Sequence, residues 1–211
     1  MAVVITIAQQ KGGAGKTTLA ANLAAAFAAH CRVALLDIDP QRSLTRWGHL
    51  RAQGSAPAVL VSDVSGWRLA RELERLQAAS DVLVVDSPPQ VDQDARRAIR
   101  AAGLVLIPVQ PSAPDLWAAE GTLQIAAEEK RPTRLVLNRV AGGERAAQAA
   151  RAMLGELPAM ATALGNRAAY AQAFAKGLGI TEAAPRSLAA GELRTLMDEV
   201  MLQAGIVLPA S

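Results

Sequence analysis

The chain has 211 residues, of which 51% are hydrophobic and only 3% aromatic, and this composition suits one α/β domain with a single large core. The lone cysteine, Cys31, excludes an internal disulfide and a metal cluster built from the cysteines of one chain, so we expect it to be a small buried side chain. A formal charge of +3 permits weak binding to a polyanion without requiring it.

Two further patterns concern membranes and export. The N-terminal sequence lacks the basic region of a signal peptide. The chain also has no run of about 18 apolar residues, which a transmembrane helix would need. We therefore expect a cytoplasmic protein.

Short apolar runs rich in β-branched residues alternate along the chain with longer, alanine-rich periodic stretches. In chain order we predict a strand at 3–8, a helix at 17–30, a strand at 32–36, a helix at 43–53, a strand at 58–61, a helix at 66–79, a strand at 81–85, a helix at 92–102, a strand at 104–109, a helix at 115–129, a strand at 133–137, a helix at 144–154, a strand at 158–163, and helices at 167–176 and 188–204.

Strands that are apolar throughout and separated by helices favour a sheet buried on both faces. We therefore predict an α/β fold with a doubly wound, mostly parallel sheet and helices on both faces. No internal repeat, low-complexity linker or composition shift divides the chain. Residues 1–211 are accordingly expected to form a single domain.

The segment KGGAGKTT, residues 11–18, follows a predicted strand and opens a predicted helix, which is the context of a phosphate-binding P-loop. Glycines let the backbone curl so that its N–H groups converge on phosphate oxygens at a helix N-terminus. Lys16 would reach the β and γ phosphates, Thr17 would bind Mg²⁺, and Thr18 would reach the α phosphate. The predicted nucleotide-binding residues of this loop are Gly12, Gly13, Ala14, Gly15, Lys16, Thr17 and Thr18. The competing interpretation is a glycine-rich turn with a chance lysine.

Aspartates follow two of the predicted strands. Asp86 ends the apolar run DVLVVD, and Asp37 and Asp39 lie in LLDIDPQRS. An open α/β sheet places its site at the carboxyl ends of its strands, which makes all three candidates for metal binding or catalysis. The alternative is that they are turn residues, since an Asp before Pro40 commonly forms an Asx turn.

The P-loop departs from the usual pattern, because Gln10 stands where a glycine is usual and Lys11 precedes a Gly-Gly pair. This variant, KGGxGK[ST], is the deviant Walker A motif, and the chain resembles the family that includes ParA, MinD and the nitrogenase iron protein. The resemblance implies a P-loop NTPase fold, ATP hydrolysis and the cofactors ATP and Mg²⁺.

Several roles follow from that resemblance alone. Lys11 would reach across a dimer interface to the nucleotide of the other subunit, Asp39 would orient the attacking water, and Asp37 would support the Mg²⁺ shell. Asp86 would be the Walker B aspartate. Lys11, Lys16 and Asp39 are thus the predicted catalytic residues, and Thr17, Asp37 and Asp86 the predicted metal residues. The sequence does not separate the roles of Asp37 and Asp39, and without the resemblance Lys11 would be interpreted as a solvated loop lysine.

Later segments extend the resemblance over almost the whole chain: residues 108–118, 136–140 and 165–182. They imply that Asn138 contacts the adenine and that the loop ending at Pro185 lies against the base. For Asn138, a loop cap is an equally good interpretation. Trp47 and Trp117 could be interface aromatics, but we expect them in the core.

The chain begins within two residues of the first predicted strand and so resembles the small ParA class, which lacks an N-terminal helix-turn-helix. That class implies an ATP-bound homodimer associated with the nucleoid through non-specific DNA binding, and an adaptor protein of the ParB kind. We expect Arg167 and Lys176 to be the principal DNA contacts. The full set of basic candidates is Arg96, Arg97, Arg100, Arg145, Arg151, Arg167, Lys176, Arg186 and Arg194.

Other functions are open to the same motifs. A MinD-like membrane-cycling ATPase would need a basic amphipathic terminal helix, and no Lys or Arg follows Arg194, so no stable membrane anchoring is expected. One cysteine and one tyrosine, Tyr170, disfavour the iron–sulfur relatives and the tyrosine kinases of this branch. A small-molecule ligase or kinase is disfavoured by Lys11 and the DPQ sequence. A positioner of a protein cargo, such as a microcompartment or receptor cluster, cannot be told from a plasmid or chromosome partition ATPase.

Overall fold

The computed structural model describes residues 2–90 and 92–208. Its strands are β1 (Val3–Ile7), β2 (Val33–Asp37), β3 (Leu60–Ser62), β4 (Val82–Asp86), β5 (Leu104–Val109), β6 (Thr133–Val140) and β7 (Ala159–Gly165). Its helices are α1 (Lys16–Ala28), α2 (Ser43–Ala52), α3 (Leu69–Ala79), α4 (Gln93–Ala101), α5 (Ala113–Glu128), α6 (Gly143–Leu154), α7 (Ala168–Phe174), α8 (Ile180–Ala183) and α9 (Leu188–Ala204), and a 3₁₀ turn at Gly66–Arg68 precedes α3.

The seven described strands form one sheet in the order β3-β2-β4-β1-β5-β6-β7, and every pairing between them is parallel. Asp86 pairs in register with Ile7 on one side and with Asp37 on the other, so these three strand ends lie side by side. From β1 the chain runs to β2 on one side of β1, and after β4 it crosses to β5 on the other side of β1. An open parallel sheet binds its ligand at such a point, at the carboxyl ends of the strands.

Helices cover both faces of the sheet. On one face, α1, α2, α8 and α9 pack against strand residues such as Ile5, Leu35 and Val84. On the other face, α3 to α6 pack against the alternate strand residues, such as Val85 and Ile107. All residues of β2, β4 and β5 are buried, which explains why these strands are continuous apolar runs. The predicted doubly wound α/β fold is confirmed.

Differences from the sequence prediction are local. Helix α5 begins two residues before the predicted start, because the Ser112 side chain accepts the N–H of Asp115 and Pro114 lies in the first turn. The short helix α8 was not predicted, and β6 continues to Val140. Cys31 is half-buried at the rim of the core, not fully enclosed.

The two tryptophans that were expected in the core differ in burial. Trp47 is fully buried beside Phe174, as expected. The prediction for Trp117 is wrong: it is 66% exposed, because it lies on the outer side of α5, away from the sheet. Periodic spacing on an alanine-rich helix does not show which side faces the sheet, and the side chain of Trp117 falls outside the buried stripe.

The apolar stripe of α9 packs into the core. Leu193, Leu196, Met197 and Val200 are buried in the same cluster as the residues of α1. Within the described part of the chain, no helix has the length and apolar character needed to cross a bilayer.

Candidate functional site

The loop between β1 and α1 has the backbone shape of an anion cradle. Gly13 and Gly15 have φ angles of +80° and +94°, a region that glycine enters without steric cost, and α1 begins at Lys16. The N–H groups of residues 12–15 donate to no acceptor among the described residues. Free N–H groups at a helix N-terminus are the donors that a phosphate requires.

Lys16 is buried at the base of this loop. Its Nζ donates to the carbonyl oxygen of Gln9 at 3.1 Å. Burial lowers the pKa of Lys16, and the nearby carboxylates of Asp86 and Asp39 act in the opposite direction. An ammonium at the base of a loop of free N–H groups adds a positive charge where a phosphate would bind.

Asp86 is completely buried, and within residues 2–90 and 92–208 neither of its carboxylate oxygens has a hydrogen-bond partner of regular geometry, although the Thr17 hydroxyl lies beside them. Burial raises the pKa of Asp86 to about 8, Thr17 and Lys16 oppose this rise, and Asp37 and Asp39 add to it. A buried carboxylate without partners is costly in a folded protein. Such a group is expected where a cation binds.

The surroundings of Asp86 fit Mg²⁺ bound together with a phosphate ligand. Among the residues that the structure describes, no group of three or more His, Cys, Asp or Glu side chains is arranged to hold a metal. Mg²⁺ commonly takes one or two protein oxygens and completes its shell with waters and substrate phosphates. The Thr17 hydroxyl and the Asp86 carboxylate can supply such oxygens.

Asp37 and Asp39 occupy different environments. Asp37 is buried, and its Oδ2 accepts the Thr45 N–H at 2.8 Å and the Thr45 hydroxyl at 2.9 Å. Its Oδ1 accepts the N–H of Asp39 at 3.2 Å. Burial raises the pKa of Asp37, and these hydrogen bonds counteract the rise. Asp37 therefore shapes the loop that carries Asp39. The Asp39 side chain is partly exposed, and among the described residues its carboxylate accepts only the Gln41 N–H, at 2.9 Å.

Lys11 points away from the cradle toward α5. Its Nζ lies 2.6 Å from Oδ2 of Asp115, a carboxylate that also accepts the Ser112 hydroxyl at 2.6 Å. Burial alone would raise the pKa of Asp115, but the hydrogen bonds from Lys11 and Ser112 outweigh it, and the pKa lies below its ordinary value.

A cavity of about 420 Å³ adjoins the cradle between α1, the end of β6 and α7. Its wall includes Thr18, Asn22, Asn138, Tyr170 and Leu193. The volume and the mixed polar and apolar wall suit a nucleoside. The cavity opens directly beside Gly15, so a ligand could occupy both.

The predicted base contacts have different positions. Asn138 lines the cavity, but its amide already donates to the Ala14 carbonyl and accepts the Arg139 N–H. Pro185 is exposed between α8 and α9 and does not line the cavity. In the same segment, Glu182 turns toward α2, where it pairs with Arg51 at 2.7 Å.

The basic residues predicted as DNA contacts differ in whether they already pair with other groups of the protein. Arg167 lines the cavity and pairs with Glu192, while Lys176 is exposed at the end of α7. Within residues 2–90 and 92–208, no salt bridge involves Arg145, Lys176 or Arg186. Ion pairs with acidic side chains occupy Arg96, Arg97, Arg100 and Arg151, and Arg194 donates to the Pro185 carbonyl.

Sequence reasoning did not single out three residues that contact the site. Thr45 holds Asp37, Asp115 holds Lys11, and Gln110 donates from its Nε2 to the Gly13 carbonyl at 3.3 Å. Gln110 directly follows β5. A polar residue at a strand end is the same signal that identified Asp86, and it could have identified Gln110 as well.

Comparisons with known proteins agree with this arrangement. A family model of the CobQ/CobB/MinD/ParA nucleotide binding domain matches residues 5–180. The maintenance of carboxysome distribution protein A of Halothiobacillus neapolitanus is 34% identical, over 95% of this chain and 97% of the relative. The chromosome-partitioning ATPase Soj of Thermus thermophilus is 31% identical, over 93% and 94%. A solved structure of a putative plasmid partition protein of Borrelia burgdorferi bound to AMPPNP superposes with a TM-score of 0.78 at 17% identity, over 96% of this chain and 99% of that one.

Proposed function

Because the chain belongs to the family of CobQ/CobB/MinD/ParA nucleotide-binding domains, we propose that it is a dimerising ATPase that uses Mg²⁺ and ATP to bind DNA without sequence preference and to position a cargo. The predicted family, and with it the class of ATP hydrolase, is confirmed. The observation that carries the proposal is the closeness of two groups that lack regular hydrogen-bond partners among the described residues: the N–H groups of the cradle and the buried carboxylate of Asp86.

Nucleotide binding divides among three parts of the site. The N–H groups of residues 12–15 and the Lys16 ammonium would hold the phosphates, and the neighbouring cavity would take the nucleoside. Thr17 and Asp86 would hold Mg²⁺, which neutralises charge on the phosphates when bound. Asp37 contributes through the loop it shapes, because its oxygens already accept three hydrogen bonds.

We propose that Asp39 orients the attacking water molecule. It is partly exposed at the end of β2, and Asp37 fixes its backbone N–H. Phosphoryl transfer asks the protein mainly to position groups and to stabilise charge, so a held carboxylate suffices for this role.

Proteins of this family dimerise and work with partner proteins. We propose that Lys11 joins the nucleotide of a second subunit when ATP brings two copies together. Facing phosphates concentrate negative charge, and a lysine supplied across the interface offsets that charge only in the closed dimer. Nucleotide binding and dimerisation then become linked.

Comparing the two lysines of one loop tests this division of roles. Lys16→Ala should abolish ATP binding, measured by calorimetry. Lys11→Ala should keep measurable ATP binding but fail to form ATP-dependent dimers in sedimentation. A Lys11→Ala protein that dimerises normally with ATP would contradict the role across the interface.

DNA binding is tested by a mobility-shift assay on random-sequence DNA with ATP, ADP or no nucleotide, at two salt concentrations. We expect binding with ATP alone that weakens steeply with salt, because phosphate contacts release counterions. Absence of binding by folded, ATP-loaded protein would reject the DNA step. Where the ATP-bound protein does bind DNA, an adaptor of the ParB kind should accelerate ATP hydrolysis and the release of the protein from DNA.

The cargo has two candidates. The Soj relative favours chromosome or plasmid partition, and the 34% identical carboxysome distribution protein favours a protein compartment. Deleting the gene in its native bacterium separates them. Loss of a replicon from daughter cells supports partition, whereas clustered protein compartments with normal DNA inheritance support the second candidate.

A further inference from the structure

Two amide side chains hold the outer side of the P-loop. The Nδ2 of Asn138 donates to the Ala14 carbonyl at 2.8 Å, and the Nε2 of Gln110 donates to the Gly13 carbonyl at 3.3 Å. Gln110 follows β5, which is next to β1 in the sheet, and Asn138 lies in β6, the next strand beyond β5. The loop is thus tied to these two strands through two consecutive carbonyl groups.

The orientation of the Asn138 amide is fixed by its second bond. Its Oδ1 accepts the N–H of Arg139 at 2.9 Å, so the NH₂ group must face the Ala14 carbonyl. Asn138 is only 9% exposed, and a Cβ built at Gly15 would overlap its Nδ2. The amide therefore packs directly against the loop at a position that only glycine allows.

The direction of these carbonyls sets the direction of the phosphate donors. In a planar trans peptide the N–H of one residue points opposite to the C=O of the residue before it. Holding the carbonyls of Gly13 and Ala14 outward therefore turns the N–H groups of Ala14 and Gly15 inward. Among the described residues these two N–H groups have no acceptor.

We propose that Asn138 and Gln110 are positioning residues that keep the P-loop in its phosphate-binding shape before a nucleotide arrives. The inference rests on the proposed nucleotide binding and gives Asn138 a role other than the base contact expected from the sequence. Holding the donors in place beforehand reduces the ordering cost of binding, and that gain concerns the phosphates and not the base.

The two roles of Asn138 predict different ligand dependence. For Asn138→Ala, calorimetry with Mg²⁺ present should show affinity falling about tenfold for ATP and equally for inorganic tripolyphosphate, which has no base. Gln110→Ala should lower both by about threefold, because its hydrogen bond is longer. A loss for ATP alone would identify a base contact and overturn the proposal, as would unchanged affinity for both ligands.

Asn166 provides the matched control. It lines the same cavity, and within the described residues its side chain makes no hydrogen bond to the P-loop. Asn166→Ala should bind tripolyphosphate as the wild type does. If it also loses tripolyphosphate affinity, any change in the cavity wall has this effect, and the assignment to Asn138 fails.

A measurement without ligand tests the positioning role of Asn138 and Gln110 independently of the proposed nucleotide binding. In nucleotide-free protein, the ¹⁵N order parameters of Ala14 and Gly15 should fall from about 0.85 toward about 0.6 in both variants, while the amides of β4 remain rigid. Unchanged order parameters would overturn the proposal that Asn138 and Gln110 hold the P-loop in shape. If the wild-type protein binds neither ATP nor tripolyphosphate, the proposed function is rejected. The order parameters would still show whether Asn138 and Gln110 hold the P-loop in shape. If Asn138→Ala also loosens β4, the less buried Gln110→Ala decides.

Discussion

Lys11 and Asp115 form a close ion pair within one subunit, with 2.6 Å between Nζ and Oδ2. The Asp115 side chain is 3% exposed and that of Lys11 38% exposed, so the carboxylate is fixed and the lysine is the mobile partner. Lys11 is directed toward α5 in this pair and not toward its own P-loop. The proposed movement of Lys11 to the phosphates of a second subunit would break the pair.

Asp115→Asn should favour the ATP dimer. The variant weakens the hold on Lys11 in the monomer but leaves the lysine intact. A partly exposed pair is worth at most about 1 kcal/mol, so the dimer dissociation constant should fall by up to about fivefold. Analytical ultracentrifugation with ATP measures this.

The same change in a Lys11→Ala background should not restore ATP-dependent dimers, because Asp115→Asn acts only by releasing Lys11. Weaker dimers from Asp115→Asn alone would show that the pair persists in the dimer. Lys11 would then act from where it lies, through α5, and not by moving to the other nucleotide.

Asp39→Ala should separate binding from hydrolysis. The Asp39 carboxylate is the more open of the two aspartates after β2, so its loss should remove water positioning but leave the nucleotide cradle intact. We expect phosphate release to fall at least about 100-fold while ATP dimers accumulate on DNA. Asp63→Ala, which removes a partly exposed partner of Arg42, should turn over ATP at the wild-type rate. Normal turnover in Asp39→Ala would reject the role.

Lys176 and Arg167 should differ in DNA binding. Lys176 is exposed, whereas Arg167 pairs with Glu192 in the cavity wall. Lys176→Ala should weaken binding to all DNA sequences and lower the salt slope by about 1, and Arg167→Ala should change the slope less. Arg32→Ala, at the opposite ends of the strands and paired with Asp81, is the control. Equal slopes for Lys176→Ala and wild type would remove Lys176 from the DNA surface.

The sequence predicted those parts of the molecule whose signal is local. Apolar runs identified the strands, and the glycine pattern with a strand before and a helix after identified the cradle. It could not predict the pairing of Lys11 with Asp115 or of Asn138 with Ala14, because each joins residues more than 100 positions apart. These contacts depend on which strands become neighbours in the sheet. The prediction that Trp117 is buried was wrong for the same reason, since packing decides which side of α5 is buried.

The pKa of Asp86 predicts how stability depends on pH without nucleotide. Because the folded pKa is about 8 and the ordinary value 3.8, the folded state holds a proton between these pH values that the unfolded state has lost. The stabilisation from protonated Asp86 is therefore present at low pH and is lost as pH rises toward 8. The free energy of unfolding should decrease by up to about 1.4 kcal/mol per pH unit from this group, or about 4 °C in Tm.

Asp86→Asn should flatten that decline, since the amide does not titrate. Thermal unfolding of nucleotide-free protein between about pH 6 and about pH 8 measures the two slopes. Asp81→Asn is the matched control, because Arg32 lowers the pKa of Asp81 and moves its titration to acid pH, so the wild-type slope should remain. Parallel slopes for wild type and Asp86→Asn would mean that Asp86 is already ionised at neutral pH. The site would then hold a standing negative charge ready for Mg²⁺, and metal binding would release no proton from this residue.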